Sequence, residues 1–126
     1  MIQFEILGRP VAKGRPRVTR NHTYTPQKTV TYENLVRYSY LEKYLGADLL
    51  TGPLEIELIF FFIRPKSSKR IVPTVKPDLD NLIKCVTDGL NKLAYADDSQ
   101  IIKITASKVY DMVDKTVVNI KEIWKE

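Results

Sequence analysis

Residues 76–84 read Lys-Pro-Asp-Leu-Asp-Asn-Leu-Ile-Lys, and residues 95–101 read Tyr-Ala-Asp-Asp-Ser-Gln-Ile. Together they gather four carboxylates, Asp78, Asp80, Asp97 and Asp98, around Lys84 in a chain whose net charge is +5. Carboxylates with no histidine or cysteine among them suit hard cations such as Mg²⁺ or Mn²⁺, which take oxygen ligands. A divalent cation set in a basic surface points to phosphodiester chemistry on a nucleic acid.

The positive charge is gathered too. Between Ile6 and Tyr32 stand six basic residues (Arg9, Lys13, Arg15, Arg17, Arg20, Lys28) and no acid. Between Leu58 and Pro77 stand five more (Arg64, Lys66, Lys69, Arg70, Lys76), again with no acid. Both segments have the composition of loops, and positive charge concentrated on loops is the footprint of phosphate-backbone binding. Lys13, Arg15, Arg17, Arg20, Arg64, Lys66, Lys69, Arg70 and Lys76 are therefore the candidate nucleic-acid contacts. The plainer alternative is solubilising charge.

The elements that must position these groups follow from pattern. Ile2–Ile6 alternates apolar with polar, as a half-buried strand does. Gly8–Thr25, with two prolines and two glycines, reads as an extended loop. Thr25-Pro26 predicts an N-cap and first turn for a helix reaching about Leu45, with Val30, Tyr38 and Leu41 inward and Gly46 as its stop. Leu54–Ile63 starts as an alternating strand and ends apolar on both faces, predicting a central strand whose far half is covered on both sides. A second helix is expected from Asp80 to about Leu93. Ile101–Tyr110 and Thr116–Trp124 read as strands joined in a hairpin at Asp111–Lys115. The fold class is α+β: a single domain over residues 1–126, a mixed β-sheet with helices packed on one face, in the order β-α-β-α-β-β.

Composition agrees. A chain of 126 residues, 44% hydrophobic and 28% charged, can bury one core. The longest apolar run, Leu58–Ile63, is too short for a bilayer span. A strand-like start at Met1 carries no signal-peptide pattern. The single Cys85 excludes an internal disulfide framework and fits a reducing cytoplasm, the localisation expected. Cys85 is read as a packing residue, and Phe60, Phe61 and Phe62 as core. Tyr24, Tyr32, Tyr38, Tyr40 and Tyr44 are read mainly as helix packing, and His22 as a member of the basic loop.

On the second helix, at about 100° per residue, Leu79, Leu82, Ile83, Val86, Leu90 and Leu93 form one inward stripe. Asp80, Lys84 and Asp88 then follow at four-residue steps along the polar side. A structural reading of the acids exists: Asp at a helix start caps free N–H groups, Asp80 and Lys84 make an ordinary i,i+4 pair, and Asp97-Asp98 makes a turn. Length raises a further constraint. A helix ending at Leu93 carries the chain about 20 Å from Asp78, and the residues up to Asp98 return at most about 14 Å. Either the helix ends early, near Gly89, or Asp98 serves another subunit. Convergence within one subunit is the expectation.

Asp78-Leu-Asp80-Asn81-Leu82-x-Lys84, Asp88-Gly-Leu90 and Asp97-Asp98-x-Gln100-Ile101 resemble the RusA family of phage and prophage Holliday junction resolvases. Gly8-Arg-Pro-x-Ala-Lys-Gly-Arg-Pro-Arg17 and Tyr24-Thr-Pro26 are similar to it as well. The resemblance implies a small homodimeric endodeoxyribonuclease that nicks four-way DNA junctions in pairs, with Mg²⁺ (or Mn²⁺) as cofactor, branched DNA as partner, and no membrane or small-molecule cofactor. It implies metal ligation by Asp78, Asp80 and Asp98 and a catalytic Lys84, with the choice of Asp98 over Asp97 left open. Two other classes compete. One is a non-catalytic branched-DNA-binding protein of the same fold. The other is a nucleotide-sugar transferase using Asp-x-Asp, which normally needs a larger nucleotide-binding domain.

The charge map has a measurable consequence. DNA affinity is expected to fall roughly 10²-fold or more between about 50 and 200 mM salt, the loss that four or more neutralised phosphates produce. A nearly flat dependence in a fluorescence-anisotropy titration would remove the two basic loops as the DNA surface.

Overall fold

A computed structural model describes residues 1–123. Strand β1 (Ile2–Leu7) turns Ile2, Phe4 and Ile6 inward and leaves Gln3, Glu5 and Leu7 exposed, as its alternation requires. Within the following loop, β2 (Arg17–Val18) and β3 (Thr23–Tyr24) form a small antiparallel hairpin. Helix α1 (Gln27–Tyr44) and strand β4 (Leu54–Ile63) come next. Helix α2 (Leu79–Leu90), a short 3₁₀ turn (Asp98–Gln100), β5 (Ile101–Asp111) and β6 (Lys115–Glu122) complete the order. Trp124, the expected end of the last strand, lies outside the described residues. The protein is thus a single α+β domain built on a mixed four-stranded sheet. Among the described residues no helix is long and apolar enough to cross a membrane.

The sheet runs β1-β6-β4-β5, with β4 antiparallel to β6 and parallel to β5. A parallel neighbour requires a crossover, and α2 supplies it. β5 and β6 are therefore not the hairpin that their spacing suggests: they flank β4 on opposite sides. The connecting residues pass over the end of β4, where Asp114 Oδ1 accepts the Ile63 N–H (2.8 Å) and the Asp114 carbonyl accepts the Gly8 N–H (3.1 Å). Crossing one intervening strand means bridging about 10 Å, which this short connection can do when its own groups cap the strand beneath. β4 is central, as expected, but only its inner row (Leu54, Ile56, Leu58, Phe60, Phe62) is buried; Ile59 and Phe61 on the other face are half-covered.

The two sheet edges differ. On β1, the Tyr44 hydroxyl accepts the Gln3 N–H (2.9 Å), and both Tyr44 (3.2 Å) and Lys43 (2.7 Å) donate to the Gln3 carbonyl. On β5, Ile102 and Ile104 remain exposed.

Helix α1 buries Thr29, Tyr32, Glu33, Val36 and Tyr40. This corrects the expected inward set: Tyr38 is exposed, and Val30 and Leu41 are only half-buried. The inward stripe carries polar groups that find partners inside. Thr29 Oγ1 accepts the Gly14 N–H (2.9 Å), Tyr32 Oη bonds Thr116 Oγ1 (2.9 Å), and Glu33 meets Lys13. Pro26 itself is the N-cap in place of Thr25, its carbonyl accepting the N–H groups of Thr29 (3.0 Å) and Val30 (3.2 Å). Gly46, at φ +82°, follows the helix end where a left-handed residue is needed.

The two helices touch at Gly89. A β-carbon there would stand 3.0 Å from Val36 Cβ and Cγ1 and 3.3 Å from the Glu33 carbonyl oxygen. A mid-helix Gly→Ala change ordinarily stabilises. Here the clash with α1 is expected to outweigh that gain, so Gly89→Ala should lower the urea midpoint by a net destabilisation of about 1–2 kcal/mol. A raised midpoint would show that α1 and α2 can separate at no cost.

Candidate active site on the second helix

Asp78 is the N-cap residue of α2 and Asp80 lies in its first turn, yet Asp78 makes no side-chain capping bond. Asp78, Asp80, Asn81 and Lys84 are all exposed. Among the described residues neither Asp78 nor Asp80 forms an ion pair or a side-chain hydrogen bond, so the capping and i,i+4 roles open to them are not taken up. Lys84 turns the other way, to Asp88 Oδ1 at 2.9 Å. The hydrogen bond to Asp88 raises the Lys84 pKa above its ordinary value, helped by the fields of Asp88 and Asp98 and opposed by partial burial and Lys13. The ammonium is thereby kept charged.

Asp88 is shared. Its Oδ2 lies 3.1 Å from Lys13 Nζ, which also meets Glu33 Oε2 of α1 at 2.7 Å. Partial burial alone would lower the Lys13 pKa, but hydrogen bonds to Glu33 and Asp88 outweigh it and the net shift is upward. The backbone around Lys13 is stitched to the same place, its N–H donating to the Asn81 carbonyl (2.8 Å). The first basic loop is thus fastened beside the acidic turn of α2, while the second basic loop runs directly into Asp78.

Helix α2 ends at Leu90, three residues before the sequence pattern suggests. Lys92 takes a left-handed conformation (φ 66°), and its N–H bonds the Tyr95 carbonyl (2.9 Å). Buried Tyr95 then donates its hydroxyl back to the Thr87 carbonyl (2.6 Å). This fold-back is the early helix end, one of the two alternatives that chain length left open, and Asp98 acts on Lys84 through its field. Among the described residues Asp78, Asp80 and Asp98 do not stand together as one group. The adjacent acids divide. Asp97 caps the 3₁₀ turn, accepting from Ser99 N (3.2 Å) within a capping box completed by Gln100, and lies 3.6 Å from Lys92. The Ser99 hydrogen bonds, with Lys92 behind them, hold its carboxyl below the usual range. Asp98 has no such partner among the described residues.

Carboxylate oxygens on a rigid helix start fit a hard cation in chemical type. Among the described residues, however, no three acid, histidine or cysteine side chains stand together as a ready metal cage. The arrangement fits the other way in which Mg²⁺ is held, by one or two carboxylates completed by water and substrate phosphate.

Arg15, Arg17, Arg20, Arg64, Lys66, Lys69, Arg70 and Lys76 are exposed. Lys13 differs from them: half-buried between two carboxylates, it is an internal tie. His22 lies in the β2–β3 hairpin, near Thr19 (3.4 Å) and Tyr24. Phe60 and Phe62 are core, and Arg9 stacks over Phe62 at 5.0 Å. Burial pushes the Cys85 thiol up to about 12, which suits packing and not nucleophilic attack. Tyr32, Tyr40 and Tyr44 pack within the molecule, whereas Tyr24 and Tyr38 are exposed. Sequence reasoning gave no role to Glu33 or Lys108 and left Asp88 as one step in a polar row. Asp88 was visible through its four-residue spacing from Lys84; Glu33 and Lys108 carry no local signal.

The family model described as endodeoxyribonuclease RusA matches residues 8–121. The Bacillus subtilis (strain 168) protein called "Uncharacterized protein YqaN" is 35% identical over 138 aligned positions, covering 97% of this chain and 96% of that one. The "Crossover junction endodeoxyribonuclease rusA" of Lactococcus phage r1t is 40% identical over 73 positions, covering 56% of each.

The Lys84–Asp88 pair has a titration signature. A lysine whose folded pKa lies above its usual 10.5 contributes stability that is fully present below that value and lost as pH rises through the shifted pKa. In Asp88→Asn the Lys84 midpoint, followed by NMR on carbon-13-labelled lysine, is expected to move downward. An unmoved midpoint would remove Asp88 as the cause.

Proposed function

The chain belongs to the RusA endodeoxyribonuclease family, and from that premise we propose that it is a Mg²⁺-dependent, structure-selective nuclease that resolves four-way DNA junctions by paired nicks. The observation that carries this reading is the state of the acids. Asp78 and Asp80 stand exposed and, among the described residues, without partners at the start of a rigid helix, flanked by two acid-free basic loops. In a protein of net charge +5, acids left free among cations are acids kept for a ligand.

Asp78 and Asp80 would hold the cation, with water and substrate phosphate completing its shell. Asp98, which lacks the capping contacts of Asp97, would join as third donor only when the metal draws the acids together, since among the described residues no three stand together. When bound, Mg²⁺ supplies a lowered water pKa and charge relief at the phosphate. Lys84, kept protonated by Asp88, presents a fixed positive charge to the developing negative charge on the phosphoryl oxygens. Arg15, Arg17 and Arg20 from one loop, and Arg64, Lys66, Lys69, Arg70 and Lys76 from the other, hold the DNA backbone against the start of α2. A symmetric junction offers two equivalent phosphates, which a homodimer with two-fold symmetry addresses with two sites.

A labelled synthetic four-way junction, compared with linear duplex of the same sequence in Mg²⁺ and in EDTA, tests this. Symmetric nicks are expected on the junction alone and only with metal. Asp80→Asn should abolish them while binding the junction at least as tightly, because a negative charge facing phosphate is removed. Lys84→Met should slow cleavage by about 10²–10³-fold, the usual loss when one electrostatic stabiliser is deleted. Junction binding without cleavage in Mg²⁺ or Mn²⁺ would reassign the protein to the binding-only class.

A further inference from the structure

The loop that delivers Asp78 follows β4 from Arg64 to Pro77, and little of it is packed. Ile71, Val72 and Val75 are exposed, and Pro73 alone is buried. Between this loop and the sheet lies a cavity of about 40 Å³, with Phe62 and Tyr110 on the sheet side and Pro73 and Pro77 on the loop side. The loop's backbone bonds are internal, from Ser68 N to Pro65 O (2.9 Å) and from Thr74 N to Val72 O (2.9 Å). What joins it to the sheet is one side chain. Lys108 of β5 donates from Nζ to the carbonyls of Val75 (2.8 Å) and Pro77 (2.9 Å). Among the described residues these are the only hydrogen bonds between the Pro65–Pro77 segment and the sheet.

Two bonds to carbonyls two residues apart fix the course of the chain through Lys76 and set where Asp78 begins α2. Asp78 needs this from outside, because its own side chain makes no capping bond to orient it. A half-buried ammonium with two of its three N–H groups directed at carbonyls is also poorly placed to serve as a phosphate contact.

We propose that Lys108 is a positioning residue for the carboxylate pair Asp78 and Asp80: it anchors the approach to α2 so that both acids face one cation. The link to a cation rests on the nuclease reading above; the anchoring itself does not. Lys108→Met keeps the apolar stem and removes the ammonium, and Lys108→Arg restores a two-donor group.

In Lys108→Met, backbone hydrogen exchange should accelerate across residues 74–80 and stay unchanged in β4. The Mn²⁺ concentration giving half-maximal junction cleavage should rise about 10- to 100-fold, as when a group supporting metal ligands is lost. Junction affinity in EDTA and its salt dependence should not change, and Lys108→Arg should recover most of both losses. If Lys108→Met does not fold, Lys108→Gln, which keeps one donor, provides the same comparison. Unchanged exchange over residues 74–80 overturns the proposal. So does a drop in affinity and salt slope with a fixed Mn²⁺ midpoint, which would make Lys108 a phosphate contact. Should the wild type cut no junction in any metal, the nuclease reading fails, and the exchange comparison alone still supports or overturns the anchor.

Discussion

The ammonium of Lys13 sits between Glu33 of α1 and Asp88 of α2, and the arrangement of the site depends on that one charge. The glycine contact at Gly89 lets the helices approach closely, which also brings their acids together. Two carboxylates with side-chain exposures of 11% and 21% would repel if nothing stood between them. A cation in that position converts the repulsion into a tie. Partial burial makes it stronger than a surface pair, and costly to break from one side, because the acids left behind would lack a partner. Since Lys13 belongs to the first basic loop, the same contact that joins the helices anchors that loop, and Asp88 keeps a second oxygen for Lys84.

The acidic residues near α2 therefore fall into two physical kinds. Glu33, Asp88 and Asp97 are engaged by donors and shape the fold. Among the described residues Asp78, Asp80 and Asp98 are left without side-chain partners in a chain rich in lysine and arginine. Two lysines near them are drawn elsewhere: Lys84 to Asp88, one turn further along α2, and Lys92 to Asp97. Both of these lysines are directed to acids already engaged in structure.

Much of this was legible in the sequence, for identifiable reasons. The order of main elements followed from alternation in β1 and β4 and from the apolar stripe of α2, because those elements bury aliphatic side chains on one face. The early end of α2 was one of two alternatives that chain length left open, while the apolar pattern pointed to Leu93. The inward face of α1 was not, because it buries Thr29, Tyr32 and Glu33, whose polar atoms are satisfied by partners distant in sequence. The pairing of β5 and β6 misled for a related reason. A short connection between two strands signals adjacency, whereas here Asp114 caps the end of β4 and lets the chain pass over it. At the site, the acids and Lys84 were visible as a local motif. The capping of the 3₁₀ turn by Asp97, the internal role of Lys13 and the reach of Lys108 to the loop all depend on contacts made in three dimensions.

The unequal edges of the sheet limit how copies of this chain can associate. Unpaired strands are templates for further strands, and a sheet open on both sides can grow without end. Here the Tyr44 hydroxyl and the Lys43 ammonium already occupy the outward groups of Gln3 on β1, leaving β5 as the side where an incoming strand meets least obstruction. Two copies joined β5 to β5 would each present a guarded β1 to solvent. Such a contact would end with two partners, the Gln3 groups of each copy being covered from the end of α1.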